Sequence, residues 1–311
     1  LLSYSLKRLA GLLPLAIFVT FVSFSLMELA PGDPAQLILQ ERAGAVDELA
    51  LLGLRSELGL DRPFLVRYVT WLGDLLSGNL GTSFYRKTSV ADEIGRALPV
   101  TLQLAGAALI WAAAWALLLG LLASFLGGFA ERLTKVLAVV GTSIPAFWLA
   151  LALMFLFAVE LNWLPAVGRE GWQSFILPTF ALSFAPLVFH LRLLNANLAA
   201  TNEEDYVIFA RAKGLSEGRI LLAHRLRPAL PPVISSFGVA IGSLLGGSVI
   251  VENIFAWPGM GTMVVEAIFN RDYPIIQGYV LVMTAIYTLA NFMVDLVCQL
   301  LDPRIRLTQE N

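Results

Sequence analysis

Side chains able to do chemistry crowd into one stretch, Thr201 to Pro232, which reads TNEEDYVIFARAKGLSEGRILLAHRLRPALPP. Glu203, Glu204, Asp205 and Glu217 stand there beside Arg211, Lys213, Arg219, Arg225 and Arg227, with long apolar runs on either side. Carboxylates and cations interleaved in this way suit recognition of a charged partner surface. The stretch is too long for a simple turn and too short for a separate domain. It reads as a segment that reaches out of a membrane to grip a soluble partner. The alternative is an amphipathic surface loop with no partner.

Other reactive groups are sparse. Gly141-Thr142-Ser143 has the Gly-x-Ser form of an intramembrane serine protease, and such an enzyme needs a histidine on a facing helix. His190 is the available partner, but it lies at the far end of its span, and Pro145 makes Ser143 read as the cap of a helix kink. The two histidines, His190 and His224, are far apart, with no HExxH or Cys/His cluster, so no fixed metal site is expected. The single cysteine, Cys298, excludes an internal disulfide framework. Asn291 and Asp295 lie one helical turn apart, and an intramembrane carboxylate is a functional candidate by default. A structural contact between the two is the competing reading. Glu252 and Asn253 are candidates for a pore mouth or a binding-protein contact, against the reading of Glu252 as an interfacial acid.

The elements that must position these groups follow from composition. Of 311 residues, 58% are hydrophobic and 14% charged, well apolar of the usual balance of a soluble domain. The excess falls in blocks long enough to span a bilayer as helix. Six spans are expected: Leu9–Ala30, Thr101–Leu126, Val136–Val159, Phe175–Leu191, Val233–Val251 and Ile275–Leu301. Lys7 and Arg8 precede the first, which is too long for the core of a cleavable signal. A net charge of −2 gives no reason to expect nucleic acid.

The intervening segments divide the chain into residues 1–30, a region 31–100, a core 101–300 and a tail 301–311. Within 31–100, Leu51–Leu58 and Phe64–Leu76 are amphipathic. Turn signals at Gly59-Leu60-Asp61-Arg62-Pro63, Ser77-Gly78-Asn79 and Gly81-Thr82-Ser83 separate them. A small cap of short helices is expected, with Tyr68, Trp71 and Phe84 at interfacial depth; a solvated connecting loop is the alternative. In the fifth span Gly238, Gly242 and Gly246 recur every fourth residue, a pattern of close helix packing. Lys7, Arg8, Arg132, Lys135, Arg192, the cations of 201–232, Arg304 and Arg306 fall on one side, and only Arg169 and Arg271 on the other side's short loops. The positive-inside rule then makes both termini and 201–232 cytoplasmic, with 31–100 external.

The charged stretch itself reads as two short helices. Thr201 or Asn202 is expected to cap the first, and Gly214 to stop it in a left-handed conformation. Ser216 is expected to cap the second, Glu217–Arg225, and Pro228, Pro231 and Pro232 to end it.

Residue by residue, this stretch resembles the cytoplasmic coupling ("EAA") loop of the membrane subunits of binding-protein-dependent ABC importers. Asp205-Tyr206, Ala210-Arg211-Ala212-Lys213-Gly214 and His224-Arg225-Leu226-Arg227 are similar to the version used by the dipeptide/oligopeptide/nickel permeases, with Pro228 where Asn is common. Similarity extends along the chain. It includes Ala30-Pro31-Gly32-Asp33-Pro34, Glu57-Leu58-Gly59-Leu60-Asp61, Gly81-Thr82-Ser83-Phe84 and Ser143-Ile144-Pro145 with Phe147-Trp148. It continues in Val251-Glu252, Phe255-Ala256-Trp257-Pro258-Gly259, Arg271-Asp272-Tyr273-Pro274 and Leu301-Asp302-Pro303-Arg304. Residues 253–258 and 267–272 look most like nickel-type members.

The resemblance implies an all-α polytopic protein of six transmembrane helices with the type I importer (MetI-like) permease fold and a small external helical cap after the first span. It implies the first of two homologous permease subunits in a bacterial inner membrane, not itself an enzyme. A second permease, two ABC ATPase subunits, an external substrate-binding protein and the lipid bilayer are the implied partners. No GxxxxGK[ST] motif occurs here, so ATP and Mg are expected on the ATPase subunits and no cofactor on this chain. By position, Asp205, Tyr206, Ala210, Arg211, Lys213, Gly214, His224 and Arg227 are the expected coupling residues. Cargo is expected to be a nickel or other metal chelate, or a di- or oligopeptide. An intramembrane protease and a free-standing channel are the alternatives.

Overall fold

The computed structural model describes residues 14, 17–25, 29, 32–43 and 47–301. Its regular structure is helical, with one isolated bridge between Thr82 and Ser89. Of the first expected span, Leu9–Ala30, residues 17–25 are helical and the rest lies almost entirely outside the described residues. The charged tail 302–311 also lies outside them.

Three short helices follow: α1 (Pro34–Ala43), α2 (Glu48–Glu57) and α3 (Phe64–Leu76). Among the described residues four helices are long and apolar enough to cross a membrane: α4 (Val90–Leu126), α7 (Ile176–Thr201, entered by a 3-10 turn at Trp172–Phe175), a continuous helix Glu217–Ile254, and α12 (Tyr273–Leu301). The bent pair α5 (Gly128–Ser143) and α6 (Ala146–Leu153), the latter continued by a π-helical stretch, Met154–Glu160, adds a fifth crossing if it is counted as one span. Between the last two long helices lies α11 (Met260–Phe269).

Three expectations about spans need correction. The second span begins at Val90, not Thr101, because Pro99 sits within α4 without ending it. The third span is not a straight helix: α5 and α6 meet at 102°. Ile144 is extended and Pro145 opens α6. The proline fixes its own φ and excludes Ile144 from the helical region, so a sharp bend follows. The prolines after the charged stretch do not end its second helix. Glu217–Ile220 (α9) passes through a π turn, Leu221–Arg225, straight into α10 (Leu226–Ile254). Pro228 therefore lies inside a continuous helix, three residues past the end of the π turn Leu221–Arg225.

By contacts the chain forms two units, residues 1–101 with 258–288, and residues 102–257 with 289–311. In the first, Val90, Ile94 and Ala97 of α4 pack with Met260, Met263, Ala267 and Ile275. Beside them is a knot of hydrogen bonds around Asp272. Its carboxylate, 3% exposed, accepts from Ser83 Oγ, from Phe84 N at 2.9 Å and from Tyr85 N at 3.3 Å. Ser83 Oγ in turn accepts from Arg86 N at 2.8 Å, and Arg86 bonds Glu93 at 2.9 Å and also Glu266. Thr88 donates to Glu93 at 2.8 Å. Two motifs far apart in sequence, Gly81–Phe84 and Arg271–Pro274, are therefore one structural feature. Nearby, Arg55 joins Asp33 and Asp61, linking the start of α1 to the turn after α2.

In the second unit α7 is the central helix, packing against α10, α5 and α6. It is apolar nearly all round and buried along most of its length, as that pattern requires. Close approach is bought by small residues: a Cβ on Gly141 would lie 2.5 Å from Val188 Cγ2. Polar pins add direction, with Asn195 Nδ2 donating to Thr134 Oγ1 and Asn197 Nδ2 to the Ala229 carbonyl.

Candidate coupling segment

The charged stretch begins where α7 ends. Asn202 is the C-terminal cap residue of α7, and Thr201 Oγ1 donates back to the Leu198 carbonyl. Neither residue caps the next helix, contrary to expectation. That helix, α8 (Asp205–Ala212), follows the extended Glu204, whose side chain makes no cap bond. The expected side-chain cap at Ser216 is likewise not formed, though Ser216 is extended and precedes Glu217. The acids at 203–205 still lie near the positive end of α8.

Gly214 has φ +74°, and the bonds around it complete a helix stop. Gly214 N donates to the Arg211 carbonyl at 2.9 Å and Leu215 N to the Ala210 carbonyl at 3.3 Å. This is the paired Schellman pattern, and Leu215 packs on Ala210 as that motif prefers. A Cβ at Gly214 would meet nothing within 4 Å, so backbone conformation alone demands glycine.

Periodicity sorts α8 into two faces. Val207 and Ala210 are buried with Ile220. Tyr206, Ile208 and Phe209 are exposed, Phe209 by 60%, and Lys213 Nζ lies 4.4 Å over the Phe209 ring. Of the expected coupling residues, Asp205, Tyr206, Arg211 and Lys213 share the exposed surface, while Ala210 packs inside. His224 is half-buried and Arg227 exposed on the helix that follows.

Arg211 clamps the segment together. Its Nε and Nη2 bond the Glu217 carboxylate at 2.7 and 3.2 Å, and Nη2 also reaches Asn202 Oδ1 at 2.7 Å. The end of α7, α8 and the second arm are thus tied by one side chain. The hydrogen bond to Glu217 holds the Arg211 guanidinium above its usual range, so it stays charged. Burial in its local surroundings, with the Glu204 charge, pushes the Tyr206 phenol up, so it stays neutral.

Arg225 is not among the expected coupling residues. It is only 9% exposed, and its Nη2 donates 2.8 Å to the Leu198 carbonyl at the negative end of α7. Leu194, Leu198, Leu221, Ala229 and Val233 form the apolar cluster of this region. The available signal was spacing: Leu221, Arg225, Ala229 and Val233 recur every fourth residue, placing one arginine in an otherwise apolar stripe.

The remaining candidates separate. Glu252 is fully buried, whereas Asn253 is exposed and donates to the Val249 carbonyl at 2.7 Å. Asp295 falls on α12, and its side chain lies outside the described residues. Among the glycines of α10, a Cβ on Gly238 would lie 2.9 Å from Asn291 Oδ1, Gly242 is half-buried, and Gly246 has nothing within 4 Å. Close packing is therefore seen at Gly238, and Gly246 is open. Ser143 Oγ donates to the Val139 carbonyl at 3.1 Å. The His190 ring is engaged by the Pro186 carbonyl at 2.6 Å and stacked on Phe237. That geometry pairs neither with the other as a nucleophile and base.

Comparison with known proteins agrees along the whole chain. Residues 116–307 match the family described as binding-protein-dependent transport system inner membrane component, and residues 1–105 match the N-terminal part of such membrane components. The glutathione transport system permease protein GsiC of Salmonella paratyphi A is 40% identical over 307 residues, covering 98% of this chain and 99% of that protein. Its counterpart from Escherichia coli K12 is 38% identical over 308 residues, with the same coverage. A crystal structure of an amino acid ABC transporter with histidines shares the fold, with a TM-score of 0.51 at 15% identity, over 69% of this chain and 94% of that one. The chain belongs to the binding-protein-dependent transport system inner membrane component family and is a multi-pass permease subunit of an ABC importer.

Proposed function

We propose that this permease carries glutathione or another short peptide, delivered by an external substrate-binding protein, and that residues 201–232 receive the work of ATP hydrolysis on the cytoplasmic side. Identity of 38–40% with glutathione permeases, end to end, is the observation that carries the cargo reading. The permease acts with a second, homologous one. ATP and Mg are held by two separate ATPase subunits, and this chain binds neither and performs no catalysis. Support for the coupling role comes from the exposed set Tyr206, Ile208 and Phe209, flanked by Asp205, Arg211 and Lys213. An apolar centre with a charged rim suits docking to a soluble protein. The Lys and Arg bias of the short loops supports cytoplasmic termini.

Reconstitution with the products of neighbouring genes tests both parts. ATP-dependent uptake of labelled glutathione, with uptake of a nickel chelate at background, is the expected result. Nickel uptake without peptide uptake would instead favour the motifs at 253–258 and 267–272 and overturn the peptide cargo. Absence of any co-purifying ATPase would overturn the coupling role, and uptake without ATP would mark a free-standing channel.

A further inference from the structure

We propose that α3 is an in-plane membrane helix whose outward apolar face lies against the acyl chains of one leaflet, rather than a solvated part of a cap. The first observation is its depth. The Tyr68 hydroxyl donates to the Ile17 carbonyl at 3.2 Å and stands 3.2 Å from Thr20 Oγ1. The rings of Phe21 and Phe24 both pack edge-on against Phe64 and Tyr68, and Phe24 also meets Trp71. Ile17 to Phe24 is the middle of the apolar run Leu9–Ala30, not its end. By sequence, Phe24 stands six residues and Ile17 thirteen residues before Ala30, the end of that run. A helix packed at those residues sits below the headgroups.

The second observation is the division of α3 into three faces. Phe64, Tyr68 and Trp71 meet the first span. Thr70 and Asp74 form a polar edge, with Arg67 near it, its guanidinium 5.7 Å from the Phe24 ring. Between these, Leu65, Val66, Val69 and Leu76 point outward, each exposed, and no charged residue interrupts them. In water, four large aliphatic side chains on one 13-residue helix would form a costly patch. In a leaflet the same arrangement is what an in-plane helix requires: an apolar face toward the acyl chains and a polar edge toward the headgroups. Arg67 reaches that edge with its long stem. The proposal depends on membrane insertion of the first span and is independent of cargo and coupling.

Single cysteines placed at Leu65, Val69, Leu76, Thr70 and Asp74 in a Cys298→Ser background test it, in the complete transporter in native membranes. A membrane-impermeant maleimide should label Asp74→Cys on the order of tenfold faster than Val69→Cys or Leu65→Cys. An environment-sensitive fluorophore at 65 or 69 should be quenched by lipids carrying a nitroxide on the acyl chain, and one at 74 should not. Equal labelling at 69 and 74 would overturn the proposal by showing a solvated helix. Slow labelling without quenching by nitroxide lipid would also overturn it, because a protein surface would then be the cover. Three independent apolar positions keep the test decisive if one variant does not assemble.

Discussion

Asp272 and Arg211 each make three hydrogen bonds, in opposite surroundings. At Asp272 a buried carboxylate accepts from Ser83 Oγ and from two backbone N–H groups of the Ser83–Tyr85 turn, residues nearly two hundred positions away. At Arg211 a solvent-facing guanidinium holds Glu217 and Asn202, both within ten residues. A buried charge with satisfied donors is costly to remove, since its partners are stranded away from water. An exposed ion pair stabilises little and is screened by salt. The first arrangement suits a region that must hold its shape. The second suits a segment proposed to meet, and respond to, another protein. Arg225 lies between these extremes, a buried cation in a segment whose other acids, lysines and arginines are exposed.

The sharpest way to break this contrast is Asp272→Ala. Stranding Ser83 and two backbone donors should cost about 2–4 kcal/mol, read as a lowered thermal midpoint of the purified subunit in nanodiscs. An unchanged midpoint would show that the knot does not bind the turn at 83–85 to residues 271–274. Arg225→Ala comes next, at about 1–3 kcal/mol for the unsatisfied Leu198 carbonyl and the lost packing. It should also lower cargo-stimulated ATPase activity, with partial recovery in Arg225→Lys. Recovery equal to that of Arg225→Leu would mean that packing, not the hydrogen bond, matters there.

Gly214→Val is expected to cost about 1–2 kcal/mol through backbone strain alone, because the space beside Gly214 is open. Membrane insertion should be normal while ATP hydrolysis and uptake become uncoupled; normal coupled uptake would remove Gly214 from the mechanism. Arg211→Ala should have the smallest effect on stability, and a larger one on uptake. The raised Arg211 value sets the sign of its pH dependence: its contribution is complete at working pH and is lost only as pH rises through that value. A midpoint in Arg211→Ala that is unchanged, and insensitive to salt, would confirm that the clamp acts on the docked geometry; a large loss would place it with the knot.

Much of this was legible locally. The expected runs Leu51–Leu58 and Phe64–Leu76 correspond to α2, Glu48–Glu57, and α3, Phe64–Leu76, because amphipathic periodicity and flanking turns are properties of adjacent residues. Gly214 was legible for the same reason, since a helix stop is written within six residues. The prolines at 228, 231 and 232 were not read correctly. Proline's tendency to end helices is local, but the packing of Leu221, Ala229 and Val233 on α7, with the Arg225 bond to Leu198, is not. The bend between α5 and α6 was signalled by Pro145 but not its size of 102°.

Composition and the spacing of apolar runs determined that this chain is a helical membrane protein, and local motifs marked 201–232 as its candidate coupling segment. Both follow from interactions between neighbours in sequence and with the solvent. Which charges would be buried was decided mainly by tertiary structure. Glu93, Asp272 and Glu252 look like other charged residues in the sequence, and become interior only where the folded chain closes over them; Arg225 alone is marked in advance, by its place in an apolar stripe. The same holds for α3. Its amphipathic pattern suits a cap or a leaflet equally, and its contacts with Ile17, Thr20, Phe21 and Phe24 set the depth at which it sits.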